Sequence, residues 1–247
     1  MGLFSRFFQK KLLDTSLLHG ASDIHCHILP GVDDGIQTEA DALKALAIYQ
    51  KLGYQRVVFT PHIMGEYPKN DANYLTERFR AFQELAPQGL ELKLAAEYML
   101  DDHFLDHIQN PILSFDGKHV LVETSYWAPS PIMDTQLYQL RLKGYEPILA
   151  HPERYVYMDD KKYDQLKKEG LLFQLNLFSL MGAYGDSAKR KAEKLLEKGY
   201  YNFTGTDTHR PNWLNRCATS FQAKKSVLEK LRPLLQNSTD LASGQWK

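Results

Sequence analysis

The sequence has few cysteines, no long apolar run and no excess charge. Its two cysteines, Cys26 and Cys217, are too few for a disulfide framework in a chain of 247 residues, so we expect a protein of the reducing cytoplasm. No apolar stretch reaches the roughly 20 residues of a membrane-spanning helix, which predicts no stable membrane insertion. The formal net charge of zero argues against a nucleic-acid partner, because such proteins usually carry a basic excess.

Several nucleophilic motifs are also absent. A cysteine-based phosphatase requires an arginine six positions after its cysteine, but Val32 and Ala223 stand at those places. The sequence has no Gly-x-Ser-x-Gly elbow, no glycine-rich nucleotide loop followed by lysine, and no Cys-x-x-Cys pair. The sequence therefore offers no evident nucleophilic side chain for covalent catalysis.

What the sequence contains is a repeated unit of a short apolar strand that ends in residues able to bind a metal or a phosphate. The seven segments are residues 23–27, 57–62, 94–97, 120–123, 148–151, 173–176 and 203–209. Helical patterns separate them, and the clearest runs from Thr38 to Leu52 with a Thr-x-x-Asp cap before it and Gly53 after it. Further helices are predicted over residues 73–85, 133–143, 163–169, 186–198 and 220–235.

This alternation predicts a mainly parallel sheet, because parallel neighbours need long crossover connections. We predict an α/β fold, a distorted (β/α)7 TIM-like barrel forming a single domain over residues 21–247. Residues 1–20 are predicted to form an N-terminal arm, as a short amphipathic helix or a frayed segment packed on the barrel. The alternative is an open doubly wound sheet, but that architecture collects ligands at one or two switch points, whereas here every segment carries them.

Nine residues at the strand ends are candidate metal ligands, five imidazoles and four carboxylates. His25 and His27 lie two apart on a strand, so both side chains leave the same face, and Cys26 must point away from them. The full set is His25, His27, Asp34, His62, Glu97, Glu123, His151, Asp207 and His209. One ion needs four to six ligands, so nine predict two or three ions and a bridging carboxylate. The absence of thiolate suits manganese, iron or zinc.

Two arginines follow candidate ligands closely. Arg154 ends the run His151-Pro152-Glu153-Arg154, and Arg210 follows His209 directly. A guanidinium offers paired donors to phosphoryl oxygens, so both are candidate substrate-binding residues, with a structural ion pair as the alternative. Aromatic residues around the predicted mouth could stack on a substrate or simply pack at the rim: Tyr67, Tyr126, Trp127, Tyr155, Tyr157, Tyr184 and Trp213. Residues 62–70 are a candidate lid.

The order of the candidate motifs resembles that of the PHP superfamily of metal-dependent phosphoesterases. The motifs are, in chain order, His25-x-His27, Thr60-Pro61-His62, Glu97, Glu123, His151-Pro152-Glu153-Arg154 and Asp207-Thr208-His209. The stretch from Asp23 to Gly35 is similar to the manganese-dependent protein-tyrosine phosphatases of bacterial capsule and exopolysaccharide operons. The resemblance implies the PHP barrel, a manganese centre built from the nine ligands, and Arg154 as the phosphate-binding arginine. It also implies the tyrosine-rich tail of a bacterial tyrosine kinase as substrate.

The expected activity is therefore phosphotyrosine hydrolysis by a metal-bound hydroxide. Arg154 would stabilise the phosphoryl oxygens, and Asp207 or His209 could act as the acid. One alternative is a small-molecule phosphatase of the same superfamily, such as a histidinol-phosphatase. Another alternative is a non-catalytic PHP module that scaffolds a partner, which would be expected to lack metal ligands. The sequence leaves the native metal and the oligomeric state open.

Overall fold

The computed structural model describes residues 9–246, which form eleven strands and eight α-helices. The strands are β1 Gln9–Lys11, β2 Ser22–Asp23, β3 Arg56–Phe59, β4 His62–Ile63, β5 Glu91–Leu94, β6 Glu97–Met99, β7 His119–Glu123, β8 Glu146–Ala150, β9 Leu172–Asn176, β10 Phe203–Gly205 and β11 Gln222–Lys224. The helices are α1 Glu39–Leu52, α2 Ala72–Gln83, α3 Phe104–His107, α4 Met133–Leu142, α5 Asp160–Lys168, α6 Gly185–Glu197, α7 Pro211–Ser220 and α8 Lys225–Ser243.

Hydrogen bonds join the seven predicted segments into a closed parallel ring. One sheet has the order β2-β3-β5, and the other has the order β4-β6-β7-β8-β9-β10. The ring closes between the first and last segments, where Asp207 N donates to His25 O at 2.7 Å and His27 N donates to Thr208 O at 2.9 Å. The predicted (β/α)7 barrel is confirmed, and the ring replaces the open sheet considered as its alternative.

Two of the predicted strands are interrupted before they reach the site. The second segment divides into β3 and β4, and the third divides into β5 and β6. Across the first break, Thr60 N still donates to Cys26 O at 2.9 Å, so the wall of the barrel stays continuous. In the upper halves, His62 of β4 lies opposite Glu97 of β6 in register. After the breaks, the strands therefore place the candidate ligands His62 and Glu97 side by side.

The helix predictions for the first five helices are confirmed to within three residues at either end. In α1, Thr38 Oγ1 accepts a hydrogen bond from Asp41 N at 3.2 Å, as the capping pattern predicts. The helix then ends at Gly53, whose φ of +91° lies in the left-handed region that glycine adopts without a steric cost. The short helix α3 was not predicted.

The closing helix predicted over residues 220–235 is confirmed from Lys225 onward, but its predicted start is wrong. The chain leaves α7 at Ser220, forms β11, and only then enters α8. Phe221 and Ala223 are buried while Gln222 and Lys224 are exposed, which is the period of two of a strand rather than the period of a helix. The partner of β11 is β1, which pairs with it antiparallel.

The predicted N-terminal arm falls partly outside the described residues. Where it is described, β1 is a strand rather than a helix, and Leu12 directly after it is fully buried. Leu12 N also donates to Phe221 O at 2.9 Å, so this part of the arm packs against the chain between α7 and α8. The division of the arm from the barrel at residues 20 and 21 stays a prediction.

The interior of the barrel is closed at the end opposite the candidate ligands. Small and medium apolar side chains from the strands, including Ile24, Val58 and Ile148, form an inner cluster with Leu241 and Ala242 from the end of α8. The carboxyl ends of the strands are left to face solvent, as in other β/α barrels. Within residues 9–246, no helix combines the length and the apolar character needed to cross a bilayer.

Candidate metal centre

All nine candidate ligands converge at the carboxyl ends of the strands. They form four overlapping groups in which the ligand atoms lie within 4.8 Å of one another: His27, Asp34, His62 and His209; His25, His27 and Glu97; His25, His151 and Asp207; His62, Glu97 and Glu123. Residues from six of the seven barrel segments and one connecting loop therefore meet in one place, which is the arrangement that the sequence predicts.

Glu97 lies at the centre of the cluster. Its Oε2 atom is 3.1 Å from both His25 Nε2 and His27 Nε2, and 3.4 Å from His62 Nδ1. Its Oε1 atom is 3.2 Å from His151 Nε2. One carboxylate thus contacts four imidazoles, which is the position that a bridging ligand must take.

The geometry of the cluster fits cations better than it fits internal hydrogen bonding. The Nε2 atoms of His25 and His27 face each other at 3.2 Å, a contact that becomes repulsive when both imidazoles are protonated. Within residues 9–246, the buried His62 Nδ1 and Glu97 Oε1 atoms lack a well-aligned hydrogen-bond partner. Buried polar atoms without partners are costly, and imidazole nitrogens and carboxylate oxygens in this density are the donors that divalent ions bind.

The charges within the cluster shift the proton equilibria of its members strongly. Burial alone would lower the pKa of His25, but the carboxylates of Glu97 and Asp207 outweigh it and raise this pKa to about 9. Burial would raise the pKa of Glu97, yet the surrounding histidines hold it well below its usual value. A protonated His25 would therefore balance part of the buried negative charge, and bound cations would replace that positive charge.

Asp34 and His209 form the exposed edge of the cluster. The Asp34 side chain is 57% exposed and the His209 side chain 28%, and their nearest atoms are 3.5 Å apart. The hydrogen bond from His209 lowers the pKa of Asp34 to about 2. These two residues are the ligands that face solvent, so they mark the side from which a substrate would enter.

Two residues behind the histidines were missed in the sequence. Asp33 Oδ2 accepts from His27 Nδ1 at 2.9 Å, and Gln174 Oε1 lies 2.8 Å from His25 Nδ1. Such partners hold an imidazole in the orientation and tautomer that metal binding requires. Gln174 carried a signal, since it is a polar residue between Phe173 and Leu175. Asp33 carried no such signal, because its spacing from His27 does not show whether Asp33 or Asp34 binds the metal.

Two of the candidate ligands have an unusual backbone conformation. Among the non-glycine residues 9–246, only His151 and Asp207 have positive φ, at 32° and 52°. A side chain in this region costs of order 1–3 kcal/mol and is retained where the surrounding structure requires it. Both residues turn the chain sharply at a strand end, which directs their side chains to the cluster.

Arg154 is placed beside the cluster, whereas Arg210 lies at its rim. Arg154 Nη1 donates to Asp207 Oδ2 at 2.5 Å, and its guanidinium carbon lies 4.5 Å from the Tyr126 ring centroid and 4.3 Å from that of Tyr184. Arg210 is exposed and makes no ion pair with any residue between 9 and 246. Both arginines border one cavity of about 370 Å³ next to Asp207 and His209.

A second cavity of about 610 Å³ opens directly over the cluster. Of the seven aromatic residues expected at the mouth, Tyr67, Tyr126 and Trp127 line this cavity, and Tyr184 and Trp213 line its neighbour. Tyr155 is fully buried and belongs to the core instead. In the candidate lid, Gly65 N donates to Asp101 Oδ2 at 2.8 Å and Asn70 Nδ2 to His62 O at 2.7 Å. Closure of this segment stays a prediction.

The remaining histidines and Cys26 lie apart from the cluster. Cys26 is buried and its Sγ atom approaches Val58 O at 3.4 Å, so it points into the core as predicted. His19 and His103 are exposed and His107 is half-buried. His119 is 4% exposed and pairs with Asp116 at 2.8 Å at the amino end of β7.

Comparison with known proteins places the chain among bacterial proteins of capsular polysaccharide synthesis. A family model described as capsular polysaccharide synthesis, CpsB/CapC, matches residues 21–240. The chain is 29% identical over 199 residues to the tyrosine-protein phosphatase YwqE of Bacillus subtilis, with 76% of each chain covered. It is 27% identical over 229 residues to the tyrosine-protein phosphatase CpsB of Streptococcus pneumoniae, with 86% of this chain and 93% of the relative covered.

The fold comparison agrees with the sequence comparison. A solved structure from the work on YwqE of Bacillus subtilis and CpsB of Streptococcus pneumoniae, described as unique metal-dependent tyrosine phosphatases, superposes with a TM-score of 0.77 at 26% identity. The superposition covers 91% of this chain and 95% of that chain. The chain therefore belongs to the CpsB/CapC family of capsular polysaccharide synthesis proteins.

Proposed function

We propose that this protein is a metal-dependent phosphoric monoester hydrolase that removes phosphate from phosphotyrosine in proteins. The observation that carries the proposal is the convergence of nine nitrogen and oxygen ligands around Glu97, with Arg154 beside them. Membership of the CpsB/CapC family supports it, because YwqE and CpsB are described as metal-dependent tyrosine phosphatases.

The proposed cofactor is a set of two or three divalent ions, with manganese preferred and iron or zinc as alternatives. The residues that would hold them are His25, His27, Asp34, His62, Glu97, Glu123, His151, Asp207 and His209. Glu97 would bridge, because its two oxygen atoms face imidazoles on different sides of the cluster. When bound, such ions supply an activated water at neutral pH and positive charge beside the phosphoryl oxygens.

Arg154 would bind the phosphoryl group, and Arg210 would bind the substrate at the entrance. Arg154 is aimed at the cluster by the Tyr126 and Tyr184 rings and by Asp207, and a guanidinium can donate two parallel hydrogen bonds to phosphoryl oxygens. Arg210 borders the same cavity and is exposed, so it would add charge at the entrance rather than at the reacting atoms.

Asp207 and His209 are the proposed general acids, which would donate a proton to the leaving oxygen. The tyrosine phenol has a free pKa of about 10, so its phenolate leaves with less protonation than an aliphatic alkoxide needs. His209 is the more exposed of the two side chains, at 28% against 3% for Asp207. Asp207 also accepts hydrogen bonds from Arg154 and Asn176, so it helps to position Arg154. His209 is therefore the better placed of the two to donate a proton.

Two rival functions have less support. A non-catalytic scaffold would be expected to have lost ligands, but all nine are present and converge. A small-molecule phosphatase, such as one for histidinol phosphate, needs the same metal chemistry, but the relatives YwqE and CpsB are named tyrosine-protein phosphatases. For the protein substrate, we propose the phosphorylated tail of a bacterial tyrosine kinase that controls capsule or exopolysaccharide synthesis, on the basis of the family's description.

The test is a paired assay of metal content and hydrolysis. Protein purified without chelator is expected to contain divalent metal by elemental analysis and to hydrolyse a phosphotyrosine peptide faster than histidinol phosphate. Chelation is expected to abolish hydrolysis, and Mn²⁺ to restore it. Full activity after chelation, or in the double variant His62→Ala and Glu123→Ala, would overturn the proposal.

A further inference from the structure

Three large apolar side chains are exposed in connections at the carboxyl ends of the strands, which is the end of the barrel that holds the metal centre. Trp127 is 78% exposed, Ile132 is 43% exposed and Val156 is 56% exposed. Trp127 and Ile132 belong to the connection that follows β7, and Val156 belongs to the connection that follows the neighbouring strand β8. We refer to these three residues as the apolar rim.

Part of the apolar rim borders the cavity over the metal centre. Trp127 lines that cavity together with Glu97 and Arg154. Val156 N donates to the carbonyl oxygen of Tyr126 at 2.9 Å, and Tyr126 lines the same cavity. A group bound over the metal centre would therefore lie next to the exposed face of Trp127.

The apolar rim is distinct from the other exposed apolar side chains of the described residues. Among residues 9–246, the other exposed large apolar side chains are Leu13, Leu85, Tyr138 and Leu142, and none of these lies in a connection that follows the carboxyl end of a barrel strand. The neighbouring cavity is lined by the polar side chains of Asp34, His209 and Arg210.

We propose that the apolar rim binds an apolar side chain that neighbours the phosphotyrosine in a substrate polypeptide. The inference rests on the proposed function and extends it to sequence preference. A phosphotyrosine in a chain can reach the metals only if the flanking residues cross the mouth, where the rim offers them an exposed apolar surface. Tryptophan is well suited to this contact because it offers a large area at a small entropic cost.

The apolar rim should contribute more to the binding of a protein substrate than to the binding of a small phosphate ester. A free phosphate ester that fits inside the cavity gains its binding from the ligands and arginines within it, so the rim contributes little to its affinity. A peptide gains contact with Trp127 in addition. Changes at Trp127 should therefore raise KM for a peptide with apolar flanking residues more than KM for a small ester, whereas a purely structural role of this side chain would affect all substrates alike.

The experiment compares Trp127→Ala with Leu142→Ala in metal-loaded protein. Leu142 is 61% exposed and ends α4, so it lies at the opposite end of the barrel and serves as the matched control. The substrates are p-nitrophenyl phosphate and two phosphotyrosine peptides, one with leucine on both sides of the phosphotyrosine and one with serine. Trp127→Ala is expected to raise KM for the leucine peptide about tenfold, as loss of a central tryptophan contact would, and to raise KM for the serine peptide and for p-nitrophenyl phosphate by a smaller factor.

Binding is measured separately from hydrolysis. Isothermal titration calorimetry with the same two peptides, now carrying non-hydrolysable phosphonomethyl-phenylalanine, should give a lower Kd for the leucine peptide in wild type and in Leu142→Ala. That preference should disappear in Trp127→Ala. Sedimentation velocity at matched concentrations checks the competing possibility that the rim binds a second copy of the chain.

The outcomes distinguish the two levels of the proposal. Hydrolysis of p-nitrophenyl phosphate and both peptides without a preference for leucine would overturn the rim and leave the proposed phosphatase standing. A dimer that dissociates in Trp127→Ala would also overturn the rim as a substrate surface. Failure of metal-loaded wild type to hydrolyse any phosphotyrosine peptide would overturn the proposed function itself.

Discussion

The guanidinium carbon of Arg154 lies 4.3 Å from the ring centroid of Tyr184. Tyr126 contacts the same group at 4.5 Å, so the guanidinium is held between two aromatic rings. A cation above an aromatic face is attracted by the ring quadrupole, by about 0.5–2 kcal/mol depending on burial. The rings therefore restrict the Arg154 side chain before any phosphate binds, which reduces the entropy that binding must cost.

Substitutions of Tyr184 should distinguish the contribution of its aromatic ring to substrate binding from that of its hydroxyl group. Tyr184→Phe keeps the aromatic face and should retain KM for a phosphotyrosine peptide within about twofold. Tyr184→Leu loses the face and should raise KM about fivefold, the equivalent of about 1 kcal/mol. Steady-state kinetics measure both, and circular dichroism confirms that the variants are folded. Equal defects in the two variants would mean that the hydroxyl, not the ring, positions Arg154.

Asp33 should control metal affinity without binding the metal. It accepts from His27 Nδ1 at 2.9 Å, so Asp33→Asn should weaken Mn²⁺ binding about 10–100-fold, as loss of such a partner does at other metal sites. Calorimetric titration of metal-free protein measures the change. The control is Asp116→Asn, which removes the partner of His119 at the amino end of β7 and should leave Mn²⁺ affinity unchanged. Similar losses in both variants would contradict the assignment.

Cys26 should be dispensable for activity although it lies between two ligands. Its side chain faces the core and approaches Val58 O, so Cys26→Ala should keep kcat/KM within about twofold. The loss of a small buried side chain should lower the free energy of unfolding by about 1 kcal/mol. Assays of hydrolysis and urea unfolding check the two expectations, with His27→Ala as the inactive comparison. Loss of activity in a folded Cys26→Ala protein would reopen a role for the thiol.

Lys167 should make stability depend on pH above neutrality. Burial lowers its pKa from 10.5 to about 8, so the folded state releases the proton before the unfolded state does. While charged in both states below about pH 8, Lys167 lowers the stability of the fold. This cost is relieved as pH rises from about 8 to 10.5, so stability increases through that window.

The measurement compares wild type with Lys167→Met by urea unfolding at several pH values. The stability of wild type relative to Lys167→Met should rise by about 1 kcal/mol between pH 7 and pH 10, a value reduced from the full shift because the side chain is partly exposed. Other groups titrate in both proteins and cancel in the difference. Lys168→Met is the matched control for loss of a lysine charge on α5. A relative stability that falls with pH would reverse the assigned direction.

Much of the barrel and the nine-residue cluster could be predicted because both depend on local patterns. The alternation of short apolar segments and capped helices specifies a parallel sheet, and in such a sheet the carboxyl ends of all strands share one face. The period of two along a strand placed His25 and His27 together and directed Cys26 into the core. The capping residues of α1 likewise located that helix to within one residue.

Other features depend on contacts between distant parts of the chain. The β1–β11 pairing joins residues more than two hundred positions apart, so a helical pattern over residues 220–235 concealed the strand. Side-chain packing makes Glu97 the central carboxylate. It also decides that Asp33 rather than Asp34 supports His27, and that Tyr126 and Tyr184 enclose Arg154. Periodicity encodes which face a residue occupies, whereas the partner that it meets there is decided only when separate segments fold together.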